Sequence, residues 1–322
     1  MCPVALPEVP YDRTAVRPGW SDLPEPVRDA IGARLGAPVA AATSAGGGFT
    51  RAFAGIVTTA AGDRAFVKAA PSQDATADWY AREAAVTTAL PPGVPAARPR
   101  WTLAVGGYFV LALDAVDGEM PTLPWTRYAL DAALRAWAAS AALLADPGDE
   151  LLALGLPSLP ELLRADLSWW SRIAAGRSAM PATPGWVSRH LEELARLERA
   201  LPALAAGPGM LHGDLRVDNV LVDRAGAAWL CDWTWPCRGA PWFDTVTLLV
   251  SAYASGLDAD AAVLDAPPDG VDGALAALSG YWLVRAASGP GSASPHSVQH
   301  HRFSGEQALA WLADRRRWHA HS

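Results

Sequence analysis

The stretch His212-Gly213-Asp214-Leu215-Arg216-Val217-Asp218-Asn219, followed by Leu230-Cys231-Asp232-Trp233, decides how this chain is read. A carboxylate at Asp214 can accept a proton from an attacking hydroxyl. Asn219 and Asp232 offer hard oxygen donors of the kind that hold magnesium against nucleotide phosphates. The local pattern supports this placement. Residues 217–222 and 227–231 are largely apolar, strand-like runs, and Asp223-Arg224-Ala225-Gly226 between them is a turn signal. This predicts a β-hairpin with Asn219 near the start of one strand and Asp232 at the end of the other. Both side chains then reach one edge, where a single cation is shared. Asp and Asn are also ordinary turn and cap residues, so the reading depends on whether other parts of the same chemistry are present.

The string resembles the kinase catalytic loop H-R-D-L-x-x-x-N with its later metal-binding Asp. His212, Asp214, Leu215 and Asn219 match, and Gly213 stands where the loop has Arg. The H-G-D form is similar to the aminoglycoside phosphotransferase and choline kinase group rather than to protein kinases. Further parts follow the same order. Lys68 is the only lysine, and it ends the strand-like Arg64-Ala65-Phe66-Val67-Lys68, similar to the kinase V-A-I-K. The resemblance implies that it contacts the α- and β-phosphates, where a compact ammonium fits between two groups. Glu83 lies in residues 75–90, a broken apolar face at helical spacing, and resembles the glutamate that orients that lysine. Upstream, Gly46, Gly47 and Gly48 let backbone N–H groups approach a phosphate, although the run is neither a Walker motif nor G-x-G-x-x-G.

The implied fold is α+β: a bilobal protein-kinase-like arrangement, with a small, mostly antiparallel β N-lobe holding one key helix and a larger helical C-lobe. Residues 1–113 are expected to form the N-lobe, 114–118 the hinge, and 119–322 the C-lobe with the catalytic loop and substrate site. Residues 1–20 read as irregular and 24–35 as a short helix. Strands at 100–105 and 108–113 flank Gly106-Gly107. Backbone groups near Asp114 and Val116 are implied to meet the nucleotide base. Helices are expected at 128–144, 159–175, 186–201, 241–255, 271–287 and 304–319, with a loop over 288–301. Asp244 is implied to brace the catalytic loop. Asp232-Trp233-Thr234 is not D-F-G, and no A-P-E-like segment follows, so the acceptor is expected to be a small molecule.

Composition sets outer bounds. With 322 residues and 51% hydrophobic content, the chain can fill two sizeable cores. Cys2, Cys231 and Cys237 make no disulfide framework, which points to a reducing, cytoplasmic setting. No apolar run approaches spanning length, so no membrane is expected. A net charge of −7 argues against wrapping nucleic acid. Arg216 can either meet phosphoryl charge or form a surface ion pair. His296, His300 and His301 have metal-like spacing but sit in the expected loop. Most of the 15 tryptophans read as core, with Trp169, Trp170, Trp235, Trp242 and Trp282 the exceptions that can face a flat substrate.

The expected function is transfer of the γ-phosphate of ATP or GTP, with Mg2+, to a hydroxyl of an aminoglycoside or other antibiotic, in a monomer or homodimer. The alternatives are a kinase of a small metabolite such as an amino alcohol or sugar, and a nucleotide-binding pseudokinase scaffold. Residues 119–322 carry 22 acidic and 16 basic residues, a net −6 that suits a cationic acceptor.

Overall fold

The computed structural model describes residues 4–263 and 266–318. Cys2, and His319 at the expected end of the last helix, lie outside the described residues. Strands β1 (Val39–Ser44), β2 (Phe53–Thr59), β3 (Arg64–Pro71), β4 (Pro99–Val105) and β5 (Tyr108–Asp114) form one antiparallel sheet in the order β1-β2-β3-β5-β4. Successive side chains on a strand point to opposite faces. Ala65, Val67, Ala69, Val110 and Ala112 therefore face one way, against Val27 and Ile31 of helix α1 (Glu25–Arg34). Ala70, Leu111 and Leu113 face the other way, against Ala77, Tyr80 and Ala84 of α2 (Ala75–Ala89). Lys68 shares the parity of Ala70 and so points to the α2 side. β3 is the middle strand, which places Lys68 at the centre of the sheet rather than on an edge. Asp74 caps α2 by accepting the Thr76 N–H at 2.8 Å.

The rest of the chain is mainly helical. After β6 (Gly118–Glu119) come α3 (Arg127–Leu143), α4 (Asp149–Leu152), α5 (Leu159–Asp166), α6 (Trp169–Ala174), α7 (Gly185–Arg189) and α8 (Leu191–Leu204). Then follow β7 (Met210–Leu211), β8 (Val220–Asp223), β9 (Ala228–Leu230), β10 (Cys237–Arg238), α9 (Trp242–Ala254), α10 (Pro268–Ala287) and α11 (Ser297–Arg316). α10 packs among α6, α8, α9 and α11 and is buried on nearly every side, as a helix without a polar face must be. No helix among the described residues is long and apolar enough to cross a membrane.

Several elements depart from the periodicity. The expected helix over 159–175 is two helices, α5 and α6. The second has its own cap: the buried Glu198 carboxylate accepts the N–H groups of Trp170 and Ser171 at 3.0 and 2.8 Å. A cap supplied from α8 leaves no trace in the local sequence. The 186–201 segment likewise divides into α7 and α8. The 288–301 loop is shorter than expected because α11 starts at Ser297. His300 on its first turns is buried against Tyr11 and Phe49, contacts made far along the chain. Trp170 and Trp282 are core residues, contrary to expectation, whereas Trp235 is exposed.

Candidate active site

β7 and β10 pair, and the chain leaves β7 directly into His212. Asp244, on the first turn of α9, holds this turn. Its buried carboxylate accepts the N–H of His212 at 2.7 Å and of Gly213 at 3.1 Å. Burial raises that carboxyl to about 7, against the two hydrogen bonds. Burial lowers the His212 imidazole to about 4, so the ring is neutral at pH 7. Its Nε2 lies 2.8 Å from the Cys231 carbonyl, which can only accept, so Nε2 carries the proton. Nδ1 is then the acceptor for the Asp214 N–H at 3.4 Å. One neutral ring thus ties Asp214 to the residue preceding Asp232.

Gly213 has φ +82, and a Cβ there would run into the Trp235 carbonyl oxygen. Both conditions require glycine where a kinase loop has arginine. Gly213→Ala is expected to destabilise the fold by on the order of 1–3 kcal/mol from backbone strain, before the clash is added. A urea midpoint unchanged from the parent's would contradict this account of the turn.

Asp214 lies at the cleft surface with its side chain 25% exposed. Arg216 Nη1 donates to its Oδ1 at 2.6 Å, and Arg216 also grips Asp218 through two parallel bonds of 3.0 and 2.9 Å. Arg216 is therefore a bracing ion-paired residue, largely buried rather than at the surface. Burial raises the Asp214 carboxyl to about 7, with Arg216 pulling the other way and Asp218 and Asp232 adding to the rise. Asn219 donates its amide to the Asp214 carbonyl at 2.8 Å, which directs its own carbonyl oxygen elsewhere.

The expected hairpin is present as β8 and β9, but its ends differ. Residues Val217–Asn219 form a 3-10 turn before β8, and Asp232 lies beyond the end of β9. A backbone bond of 2.8 Å from Cys231 N–H to the Asn219 carbonyl still holds the two ends together. Asp232 is in the left-handed region at φ +63, uncommon for a residue with a side chain. Its carboxylate is 42% exposed, accepts the Thr234 hydroxyl at 2.6 Å, and stands 3.5 Å from Lys68 Nζ. Desolvation works to raise this carboxyl, but Lys68 and Thr234 outweigh it and hold it below the usual range. Two hard oxygen donors, one charged, with phosphate and water completing the shell, are what magnesium ordinarily takes.

Lys68 Nζ donates to Glu83 Oε2 at 2.6 Å, with both side chains buried. Desolvation opposes the ammonium, but Asp232 and Glu83 overcome it and keep it charged. The exposed-lysine and exposed-glutamate readings therefore fall away. The structure brings Asp214, Asn219, Asp232, Lys68 and Glu83 to one cleft between the sheet and the helices. Asp114 ends β5, its side chain bound to Arg100 at 2.9 Å. Val116 lies just past it, and its backbone hydrogen-bonds to no other described residue.

The glycine run lies between β1 and β2 and is covered by the N-terminal segment. Ala15 N–H donates to the Gly46 carbonyl at 2.8 Å, and Gly48 N–H to the Thr14 hydroxyl at 3.1 Å. A Cβ on Gly46 would strike the Asp12 carbonyl, and one on Gly47 would sit 2.9 Å from the Tyr11 carbonyl. Phe49 stacks on His300 at 4.7 Å, and the Tyr11 hydroxyl lies 2.7 Å from His300 Nδ1. The sequence reading missed these N-terminal residues. The one signal for them was the triple glycine, which marks a close backbone approach whatever the approaching group is.

Fold and cleft together define a protein-kinase-like small-molecule phosphotransferase that acts on hydroxyl groups. The chain belongs to the phosphotransferase enzyme family, whose model matches residues 44–279. No protein of curated function matches it. Among solved structures, it is similar to a thermostable mutant of aminoglycoside phosphotransferase APH(4)-Ia in ternary complex with ADP and hygromycin B. The TM-score is 0.59 at 13% identity, over 89% of this chain and 97% of that one. It is also similar to macrolide 2'-phosphotransferase MphH from Brachybacterium faecium, with TM-score 0.53, 18% identity and coverage of 88% and 97%. A putative fructosamine-3-kinase from Haemophilus somnus 129PT gives TM-score 0.53, 11% identity and coverage of 90% and 98%. At these identities the likenesses bear on the fold.

Proposed function

We propose that this protein transfers the γ-phosphate of ATP or GTP to a hydroxyl of a small molecule in the cytoplasm, with residues 114–118 as the hinge at the nucleotide base. The observation that carries the reading is the convergence of Asp214, Asn219 and Asp232 with the Lys68–Glu83 pair. Asp214 takes the hydroxyl proton as the acceptor oxygen bonds to the γ-phosphorus. The bond from that phosphorus to the β–γ bridging oxygen breaks, and the nucleoside diphosphate leaves with the electron pair. Lys68, held by Glu83, meets the α- and β-phosphates. Asn219 and Asp232 hold Mg2+, which when bound neutralises the phosphate charge. Asp114 and Val116 present backbone groups to the base, and Gly46, Gly47 and Gly48 cover the phosphates.

For the acceptor, an aminoglycoside or other hydroxylated antibiotic is supported by the acidic helical part and by the hygromycin B complex of the similar structure. A second reading, an uncharged hydroxylated acceptor, is favoured by the immediate surroundings of Asp214. Arg216 donates to it at 2.6 Å, and the Phe49 ring lies 5.7 Å from that guanidinium, with Tyr281, His300 and His301 on the same side. Burial holds His300 well below its usual range and His301 at about 4, so neither adds charge at pH 7. ADP release with aminoglycosides, macrolides and neutral sugars separates the two readings. We expect acceptor-dependent release, abolished by Asp232→Ala. Release that no hydroxyl compound stimulates and that survives Asp232→Ala would defeat the function.

A further inference from the structure

The N-terminal segment carries a cation that no carboxylate of the described residues contacts as an ion pair. Arg17 Nη2 donates to the Gly47 carbonyl at 2.6 Å, beneath the glycine run. Its Nε is buried and has no hydrogen-bond partner. Among the described residues, no carboxylate lies within 4.0 Å of it. A guanidinium stays protonated in proteins, so this is a partly buried positive charge with no carboxylate in ion-pair contact. Burying one is costly, and such exceptions mark places where a partner is missing from the picture.

The position of Arg17 says which partner. The Asp232 carboxylate is near enough to favour its charged form, and Tyr80 lies on the same side. The Tyr80 ring lies 5.3 Å from Lys68 Nζ, and Asp232 is 3.5 Å from the same ammonium. Arg17 and Lys68 thus serve one space under the glycine loop. They differ in one respect: Lys68 has two carboxylates within ion-pair distance, and Arg17 has none. Gly48 has φ +99, and a Cβ there would sit 2.8 Å from Arg17 Nη2, so the third glycine makes room for this side chain. A planar fork with free donors suits two oxygens of a phosphate.

We propose that Arg17 is a phosphate-binding residue of the nucleotide site, supplied by the N-terminal segment from below the glycine loop. The proposal rests on the nucleotide reading above and adds a ligand to it. Desolvation lowers the Arg17 pKa from its usual value, with Asp232 working the other way. The stretch that carries Arg17 is then part of the nucleotide site.

Calorimetric titration of the full chain with AMP, ADP and ATP, each with Mg2+, tests this in Arg17→Gln, Arg17→Lys and Asp232→Ala. Glutamine loses the charge and keeps a shorter, polar side chain. Arg17→Gln is expected to weaken ATP by about ten- to a hundredfold, the scale of a charge-assisted hydrogen bond, and AMP far less. Arg17→Lys recovers part of the loss. Without nucleotide, the thermal midpoint of Arg17→Gln equals or exceeds the parent's, because a partly buried charge with no ion-pair partner is gone. Equal losses for AMP and ATP with a lowered midpoint would make Arg17 a loop anchor and overturn the proposal. ATP binding within twofold of the parent's in Arg17→Gln, while Asp232→Ala binds weakly, would overturn it and leave the nucleotide site standing. A parent that binds neither ATP nor GTP would overturn both.

Discussion

Asp214→Asn is expected to lower kcat by about two to four orders of magnitude while leaving the fold and nucleotide affinity in place, as loss of a positioned base does. The amide keeps the shape of the carboxylate. It can still receive Arg216 Nη1, which donates to Asp214 Oδ1 at 2.6 Å, but it cannot take a proton. The parent's pH profile supplies the second half of the test. Burial raises the Asp214 carboxyl to about 7, Arg216 limiting the rise. A protonated carboxyl cannot act as base, so kcat/KM is present above about pH 7 and falls as pH drops through it. In Asp214→Asn that acid limb disappears from the residual rate. Initial rates of ADP release across pH 5.5–9 measure both. A variant with parental turnover and the same acid limb would remove Asp214 from the chemistry. Retained rate with a lost limb would mean that Asp214 titrates without serving as the base, and would equally remove it from that role.

Much of this cleft was legible because its parts are short and stiff. Lys68 could be placed from period two: once residues 64–68 are a strand, Lys68 must face opposite to Val67, and α2 is the element that follows. Glu83 could be placed from the helical face of residues 75–90. The turn at residues 212–214 was legible for a harder reason. Gly213 at φ +82 and Asp232 at φ +63 are conformations that few sequences adopt, so residue choice there is narrow. What was not legible was made by distant partners. The Glu198 cap that starts α6 lies 28 residues from Trp170, whose N–H it accepts. The Ser294 N–H bonds to the Phe49 carbonyl, and its hydroxyl to the Thr14 carbonyl, at 2.7 Å each. Residues 11–17 and 294–300 read separately as irregular and as loop. Only their meeting over the glycine run gives either a definite structure, and nothing in their composition announces that meeting. Periodicity reports how a segment faces its own core, not which remote segment will lie across it.

Lys68→Ala is expected to raise the nucleotide KM and lower kcat together, for a combined loss in kcat/KM of about 10²–10³, the usual scale for a positioned group facing developing charge. Two further consequences follow from the surroundings of this lysine. Lys68→Arg is not expected to restore activity. The ammonium lies 2.6 Å from Glu83 and 3.5 Å from Asp232, beneath the Tyr80 ring on the central strand, and a planar fork needs more width than that gap offers. Lys68 should also resist amine acylation in the folded protein. Acylation needs the neutral amine, and Asp232 and Glu83 hold the buried ammonium protonated against desolvation. Because the chain has one lysine, peptide mass spectrometry reads this without ambiguity. Lys68 should remain unlabelled at pH 8 with or without nucleotide, and become labelled when urea unfolds the protein. Protection therefore comes from the Glu83–Asp232 cradle before any nucleotide arrives. Labelling of native Lys68 at the rate seen in urea, together with full activity of Lys68→Ala, would detach the lysine from the cleft. The central strand would then carry an ordinary buried ion pair, and the phosphate-binding role would have to rest on other residues.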